Sequence, residues 1–275
     1  MDKKFEFEVI EVAVPLNLPN CYSYFIPNEY KDSEIVGRRV LVNFNGRKLR
    51  GYAVEKIKKL FTQKEIEKTK AILKVVDKDK VFTEKQVDFA KWIADYYFCG
   101  VGEVLSLMIP KGVRVSKSGE LNKTDKVERD FTPKINALSQ NQLEISNSIK
   151  KDIKDGTNKF YIYGVTGSGK TEIYITLIEE MINLGRGVIF LVPEIALSYQ
   201  TLTRLKERFG KLCAILHSNL STSQRFKEYM RLYRGESKIA IGPRSALFAP
   251  IDNLGLIIID EENEGAFKSE ESPRF

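Results

Sequence analysis

Apolar and polar positions alternate through much of the first sixty residues, in "FEFEVIEVAVPL" (5–16), "CYSYFIP" (21–27), "GRRVLVNF" (37–44) and "RGYAVEKI" (50–57). Period two is the pattern of half-buried strands, and the turn signals Pro19-Asn20 and Asn45-Gly46 separate the runs. A small β-rich unit is therefore expected. "AILKVVD" (71–77) adds a strand-like run. "TEKQVDFAKWIADYYF" (83–98) has helical spacing behind a Thr83 N-cap, and "GEVLSLMIP" closes the unit near Pro110. A polar, charged stretch follows that is poor in large apolar residues and reads as a linker over 111–135. From 136 to 275 the period changes. Apolar strands are expected at 160–163, 187–192, 211–216, 237–242 and 255–260, with helices at 140–154, 170–184, 194–209 and 221–234. Runs such as "GLIIID" suit strands buried on both faces, and their alternation with helices predicts an α/β fold with a doubly wound parallel sheet.

Charge sharpens this division. Residues 38–74 carry twelve Lys/Arg against three Glu, whereas residues 161–275 hold fourteen of each sign. A local basic stretch with aromatic neighbours points to a polyanion, with a solvated lysine-rich face as the alternative. Three scattered cysteines and one histidine offer no zinc ligand set. No run is long and apolar enough to span a membrane, and the N-terminus lacks the build of a signal peptide, so a cytoplasmic location is expected.

The clearest chemistry lies at 164–171. "GVTGSGKT" satisfies G-x-x-x-x-G-K-[ST] between an expected strand and an expected helix. Backbone N–H groups of Gly164, Thr166, Gly167, Ser168 and Gly169 can cradle phosphates, Lys170 can reach the β/γ-phosphates, and the Thr171 hydroxyl can bind Mg²⁺. "LGLIIIDEEN" then ends a strand on Asp260-Glu261. The Asp is placed to hold Mg²⁺ and the Glu to orient and deprotonate water. Together these motifs predict an NTPase. The paired acids favour a hydrolase doing mechanical work.

Several segments in order, "GVTGSGKTEIY", "LVPEIALSYQ", "IGPRSALFAP", "LGLIIIDEENEGAFKSEESPRF" and, at the front, "VAVPLNLPNCYSYFIP", "KAILKVVD" and "WIADYYFCGVGEVL", resemble the PriA family of superfamily 2 replication-restart helicases. The resemblance implies a β-rich module that captures a nascent DNA 3′ end, followed by the first RecA-like lobe of an ATP- and Mg²⁺-dependent 3′-to-5′ helicase. It implies DNA contacts at Tyr22, Ser23, Tyr24, Gly46 and Lys70 in the module, and at Pro193, Glu194, Arg244, Ser245 and Lys268 in the lobe. Gln142 resembles the family's adenine-reading glutamine. Stalled forks, primosome proteins and single-strand-binding proteins are the implied partners.

The sequence departs from the family at Ser23 (Asp in the family), Pro243 (Thr) and Asn263 (His). The linker is too short for the family's winged-helix domain. The second lobe and the zinc-binding cysteines are not in these 275 residues, so an N-terminal portion with half an ATP site, inactive alone, is expected. Two other readings are another superfamily 2 DNA translocase and a non-enzymatic DNA-end module with a vestigial nucleotide pocket.

Overall fold

A computed structural model describes residues 3–112, 138–165, 167–193, 199–217 and 219–265. The chain divides into two compact units, the first reaching Lys111 and the second beginning at Gly112. The linker expected at 111–135 falls almost wholly outside the described residues.

The first unit is built on an antiparallel sheet of β1 (Lys4–Ala13), β2 (Tyr22–Phe25), β3 (Arg39–Phe44), β4 (Arg47–Thr62) and β5 (Lys74–Val75), in the order β2-β1-β4-β3-β5. Its two edges meet. Phe25 bridges Ala71, Phe25 N–H donates to the Lys70 carbonyl (3.0 Å), and Ile72 N–H donates to the Phe25 carbonyl (3.1 Å), so the sheet closes on itself as a barrel. Alternation sends Ile10, Val12, Tyr24, Val40, Val42, Ala53 and Ile72 into the interior. The register shift between Glu11 and Val12 leaves Val54 of β4 as the extra residue, a bulge that bends β4.

Arg39, 3% exposed, is locked to Asp77. Its backbone N–H and Nε donate to Asp77 Oδ2 (2.9 and 2.8 Å), and its guanidinium also reaches the Pro110 carbonyl (3.0 Å). One arginine of the basic stretch is thus a buried structural tie rather than a polyanion contact. Three helices complete the unit: α1 (Gln63–Lys68), α2 (Glu84–Tyr97) and α3 (Val101–Met108). Thr83 caps α2 as expected, with Gln86 closing the box. At Gly102 a Cβ would lie 1.9 Å from the Val14 carbonyl, so only glycine lets α3 approach the end of β1 this closely. α1 was not legible in the sequence, because the polar "QKEIEK" carries no apolar face; its Thr62–Glu65 capping box accounts for it.

The second unit holds α4 (Gln140–Lys154), α5 (Lys170–Asn183), β6 (Gly187–Leu191), α6 (Tyr199–Phe209), β7 (Cys213–Ile215), α7 (Thr222–Tyr233), β8 (Ile239–Gly242) and β9 (Leu254–Ile259). Among the described residues its strands form one parallel sheet in the order β7-β8-β6-β9. Phe190, Ile239, Ile241 and Ile258 of the sheet pack with Tyr174, Ile178 and Met181 of α5 and Leu205 of α6. α4 joins through Ile149, which packs with Ile173 and Leu177.

One expectation fails here. Residues 160–163 are not a strand, and Tyr161 and Tyr163 are 74% and 88% exposed. Ile162 packs against the same cores as Leu256 of β9, but the segment joins no ladder among the described residues, and the sheet ends at β9 with Ile257 and Ile259 exposed. The expected helix at 194–209 begins at Tyr199, residues 194–198 lying outside the description.

Candidate nucleotide and DNA sites

Parallel strands in register bring their carboxyl ends to one edge, where α/β sheets hold ligands. Leu191 of β6 is level with Gly242 of β8 and Ile259 of β9, and Ile215 of β7 with Ile241. The residues that follow these strands therefore share that edge: Pro193, His217, Arg244-Ser245 and Asp260-Glu261. Main-chain bonds extend the alignment past the strands, Asp260 N–H donating to the Leu191 carbonyl (2.9 Å) and Val192 N–H to the Gly242 carbonyl (2.9 Å). Ser245 is exposed and Arg244 half-buried in a 3-10 turn behind Pro243. His217 Nδ1 accepts from Asn219 N–H (2.9 Å), which suits a hydrogen-bonding turn residue.

The glycine loop leads into α5. Gly167 and Gly169 adopt φ of 83° and 85°, and α5 has Gly169 as its N-cap with no side-chain capping bond. The first N–H groups of the helix thus stand without a side-chain acceptor, as an anion site needs. Lys170 Nζ donates to the Gly164 carbonyl (2.7 Å), folding the lysine over its own loop. Glu172–Arg204 (3.2 Å) ties α5 to α6, and Lys150–Glu180 (3.2 Å) ties it to α4.

α4 in turn delivers Gln142. Its Oε1 accepts from Ser139 N–H (2.8 Å), and its Nε2 donates to the carbonyls of Ser168 (3.3 Å) and Gly169 (3.5 Å). A residue 22 positions before the loop in sequence therefore touches it. In this arrangement its amide clasps the loop.

The acidic strand end meets the same helix. Tyr174, one turn beyond Lys170, packs on Phe190 (5.7 Å between centroids) and donates its hydroxyl to Asp260 Oδ1 (3.4 Å). Burial, then the neighbouring Glu261 charge, raises the Asp260 carboxyl above its ordinary value; the Tyr174 hydrogen bond and the Lys170 charge pull it back. Lys170 is thus near enough to act on Asp260 electrostatically. Burial foremost, and then Asp260, push the Tyr174 hydroxyl far up, keeping it a proton donor. Glu261 is exposed and held at φ 51°, a left-handed conformation uncommon for a residue with a side chain. Tyr174 was missed in the sequence, where "KTEIY" reads only as the apolar stripe of a helix.

In the barrel the expected DNA residues separate onto two faces. Tyr24 is 4% exposed in the interior and its hydroxyl donates to the Asn43 carbonyl (3.4 Å), so its ring offers no free face to a base. Tyr22 is half-buried, edge-on to Phe44 (4.8 Å). Strand alternation turns Ser23 the other way. It donates to Glu11 Oε1 across the β1–β2 pair and accepts from Lys59 Nζ (2.8 Å). Period two thus sets Tyr22 and Tyr24 on one face of β2 and Ser23 on the other.

Gly46 and Lys70 do come together, through Asn43. Asn43 Oδ1 accepts from Gly46 N–H (3.0 Å) and from Lys70 Nζ (3.3 Å). The sequence hides this hub, since Asn43 and Lys70 are 27 residues apart. Thr166, Glu194 and Lys268 lie outside the described residues. Asn263 is exposed beyond the acidic turn.

Comparison with known proteins divides the chain in the same place. Residues 11–110 match the family model "3'DNA-binding domain (3'BD)" of PriA, and residues 135–271 match "Type III restriction enzyme, res subunit". The replication restart protein PriA of Treponema pallidum is 35% identical over 268 residues, covering 97% of this chain and 40% of the relative. PriA of Haemophilus influenzae is 32% identical, covering 98% and 46% respectively. PriA of Bacillus subtilis is 45% identical over 139 residues, half of this chain. The chain thus spans less than half the length of these curated relatives. Its helicase-type domain, its 3′ DNA-binding domain and the relatives that align along nearly all of it agree, and the chain belongs to the PriA family, matching the N-terminal part of those replication restart proteins.

Proposed function

We propose that this chain is the DNA- and ATP-binding front part of an ATP-dependent 3′-to-5′ helicase acting in replication restart at stalled forks. The observation that carries the reading is the contact of α5, the helix the glycine loop opens, with the acidic strand end through Tyr174 and Asp260 (3.4 Å), residues 86 positions apart. The match of residues 11–110 to a 3′ DNA-binding domain supports a PriA-type motor over a restriction-type translocase.

The residues present fit ATP and Mg²⁺. The N-terminus of α5 lacks a side-chain cap, Gly167 leaves open space, and the hydroxyl of Thr171 and carboxylate of Asp260 are hard oxygen donors of the kind Mg²⁺ takes. When bound, Mg²⁺ neutralises charge between the β- and γ-phosphates. On this reading Lys170 exchanges the Gly164 carbonyl for a phosphate oxygen, and the loop N–H groups hold the rest. Thr171 and Asp260 would hold the metal. Asp260 is kept in place by Tyr174, and exposed Glu261 orients water and takes its proton. Gln142 would release the loop carbonyls to read adenine. Turnover is assigned to the complete protein, since motors of this class close further cationic groups on the γ-phosphate. Zinc ligands, too, are assigned to residues beyond these.

At the same edge Pro193 and Arg244-Ser245 would hold single-stranded DNA through its backbone. Glu194 and Lys268 are proposed to join them. In the barrel Tyr22, Gly46 and Lys70 are proposed to meet a nascent 3′ end. The Haemophilus alignment runs over 341 residues against 275 here, which supports an internal module, such as the winged helix, being reduced in this chain. Primosome and single-strand-binding proteins are proposed partners, in the cytoplasm.

The test is Lys170→Ala in the complete protein. Unwinding and DNA-stimulated ATP hydrolysis should vanish while fork binding persists. Loss of fork binding with the same substitution would break the division of labour.

A further inference from the structure

The hub at Asn43 does more than close a turn. Asn45 and Gly46, with φ of 46° and 81°, make a two-residue hairpin between β3 and β4, and the bond from Gly46 N–H to Asn43 Oδ1 (3.0 Å) suffices to brace it. Lys70 is a separate matter. It is exposed, comes from a different segment, and gives up rotational freedom to place its ammonium 3.3 Å from the same oxygen. An exposed contact of this kind adds little stability. Its effect is to fix where the cation stands before any ligand arrives.

The two donors converging on Asn43 also decide the orientation of its amide: the atom facing both is oxygen, which leaves the Nδ2 donors facing elsewhere. No hydrogen bond engages Nδ2 among the described residues. A half-buried amide N–H pair beside a fixed ammonium matches the chemistry of a phosphodiester oxygen. Exposed Arg47 and Lys48, the latter paired with Asn43 across the hairpin, keep the surroundings basic.

We propose that Asn43 is the positioning residue of the DNA-end site: its Oδ1 pins the Lys70 ammonium to the β3–β4 turn, and its Nδ2 donates to the phosphodiester next to a DNA 3′ terminus. The inference rests on the reading that Lys70 meets DNA.

The experiment is fluorescence anisotropy of the 275-residue chain with a labelled partial duplex carrying a free 3′ end. Asn43→Ala, Asn43→Asp and Lys70→Ala are compared, and thermal melting serves as the folding control. Asn43→Asp keeps acceptors for Gly46 and Lys70, so its melting temperature should stay put, while loss of the donors and the added charge should weaken binding about ten-fold or more. Asn43→Ala should weaken binding about five-fold, and combining it with Lys70→Ala should cost more than Lys70→Ala alone but less than the two single losses together, the shared part being the pinned ammonium and the remainder the Nδ2 donor. Unchanged affinity in Asn43→Asp, with Lys70→Ala weakened, would overturn the inference and leave the DNA-end reading standing. Unchanged affinity in Lys70→Ala would overturn both.

Discussion

The two units solve the problem of sheet edges differently. In the barrel unit, strand β2 meets the segment at Ala71 and the antiparallel sheet closes, so its two edges cover each other. In the second unit the parallel sheet stops at β9, with Ile257 and Ile259 exposed and Tyr161 and Tyr163 unplaced in any strand. Their sites differ in the same way. The proposed nucleotide site follows from topology, because parallel register carries four strand ends to one edge. The proposed barrel site is instead gathered by one side chain, Asn43, that no periodicity marks. A site made by topology tolerates a missing strand. A site made by one hub depends on a single substitution.

That difference can be broken most forcefully at Arg39. Removing one partner from a buried, hydrogen-bonded ion pair typically costs about 3–5 kcal/mol. Arg39→Ala should therefore abolish the cooperative melting of the barrel while ATP binding by the second unit survives. Loss of nucleotide binding in step with barrel melting would mean that the units do not fold apart. Added salt should sharpen the contrast next. If the barrel neutralises even three phosphates, a four-fold rise in salt should weaken DNA binding roughly forty-fold. A flat response would return Arg47, Lys48, Lys58 and Lys70 to the role of a solvated face.

Smaller effects probe single contacts. Tyr174→Phe removes the hydroxyl from Asp260 and keeps the ring on Phe190. It should raise the Mg²⁺ concentration needed for tight ATP binding about ten-fold, as loss of one hydrogen bond to a charged group warrants, and leave melting unchanged. Smallest is the cap of α1. The Thr62 backbone N–H, and then its hydroxyl, hold Glu65 below the usual carboxylate range. That brace is complete above the unfolded carboxylate value and is lost as pH falls through the lowered folded value. Amide exchange in Gln63–Lys68 should accelerate only in that acid window, and an unchanged rate there would remove the brace from the account.

Much of this architecture was readable in the residues, for identifiable reasons. α5, β6 and β8 announced themselves because each is a buried element whose period its environment enforces, and β9 because its apolar run pairs with β6 although Ile257 and Ile259 stay exposed. The turn into α5 and the strand end at Asp260 were legible because a glycine-rich run opens a helix and an apolar run closes on acids. What escaped notice depended on contacts across the chain. The apolar side chain of Ile162 in the strand expected at 160–163 packs on the core without the segment joining a ladder among the described residues. Tyr174 looked like packing until Asp260 came to its hydroxyl. The contacts expected at Tyr22, Ser23 and Tyr24 followed family likeness, and alternation sets Ser23 on the face opposite the two tyrosines, while Asn43 sat unremarked inside an ordinary strand.

The account stands or falls on the glycine loop and the acidic strand end forming one metal–nucleotide site. The most direct measurement is equilibrium binding of a fluorescent ATP analogue to the chain with and without Mg²⁺, in wild type and in Asp260→Asn. The account predicts that Mg²⁺ tightens binding in wild type, and that Asp260→Asn loses this tightening while keeping the metal-free affinity. An Asp260→Asn variant that responds to Mg²⁺ as wild type does would contradict it.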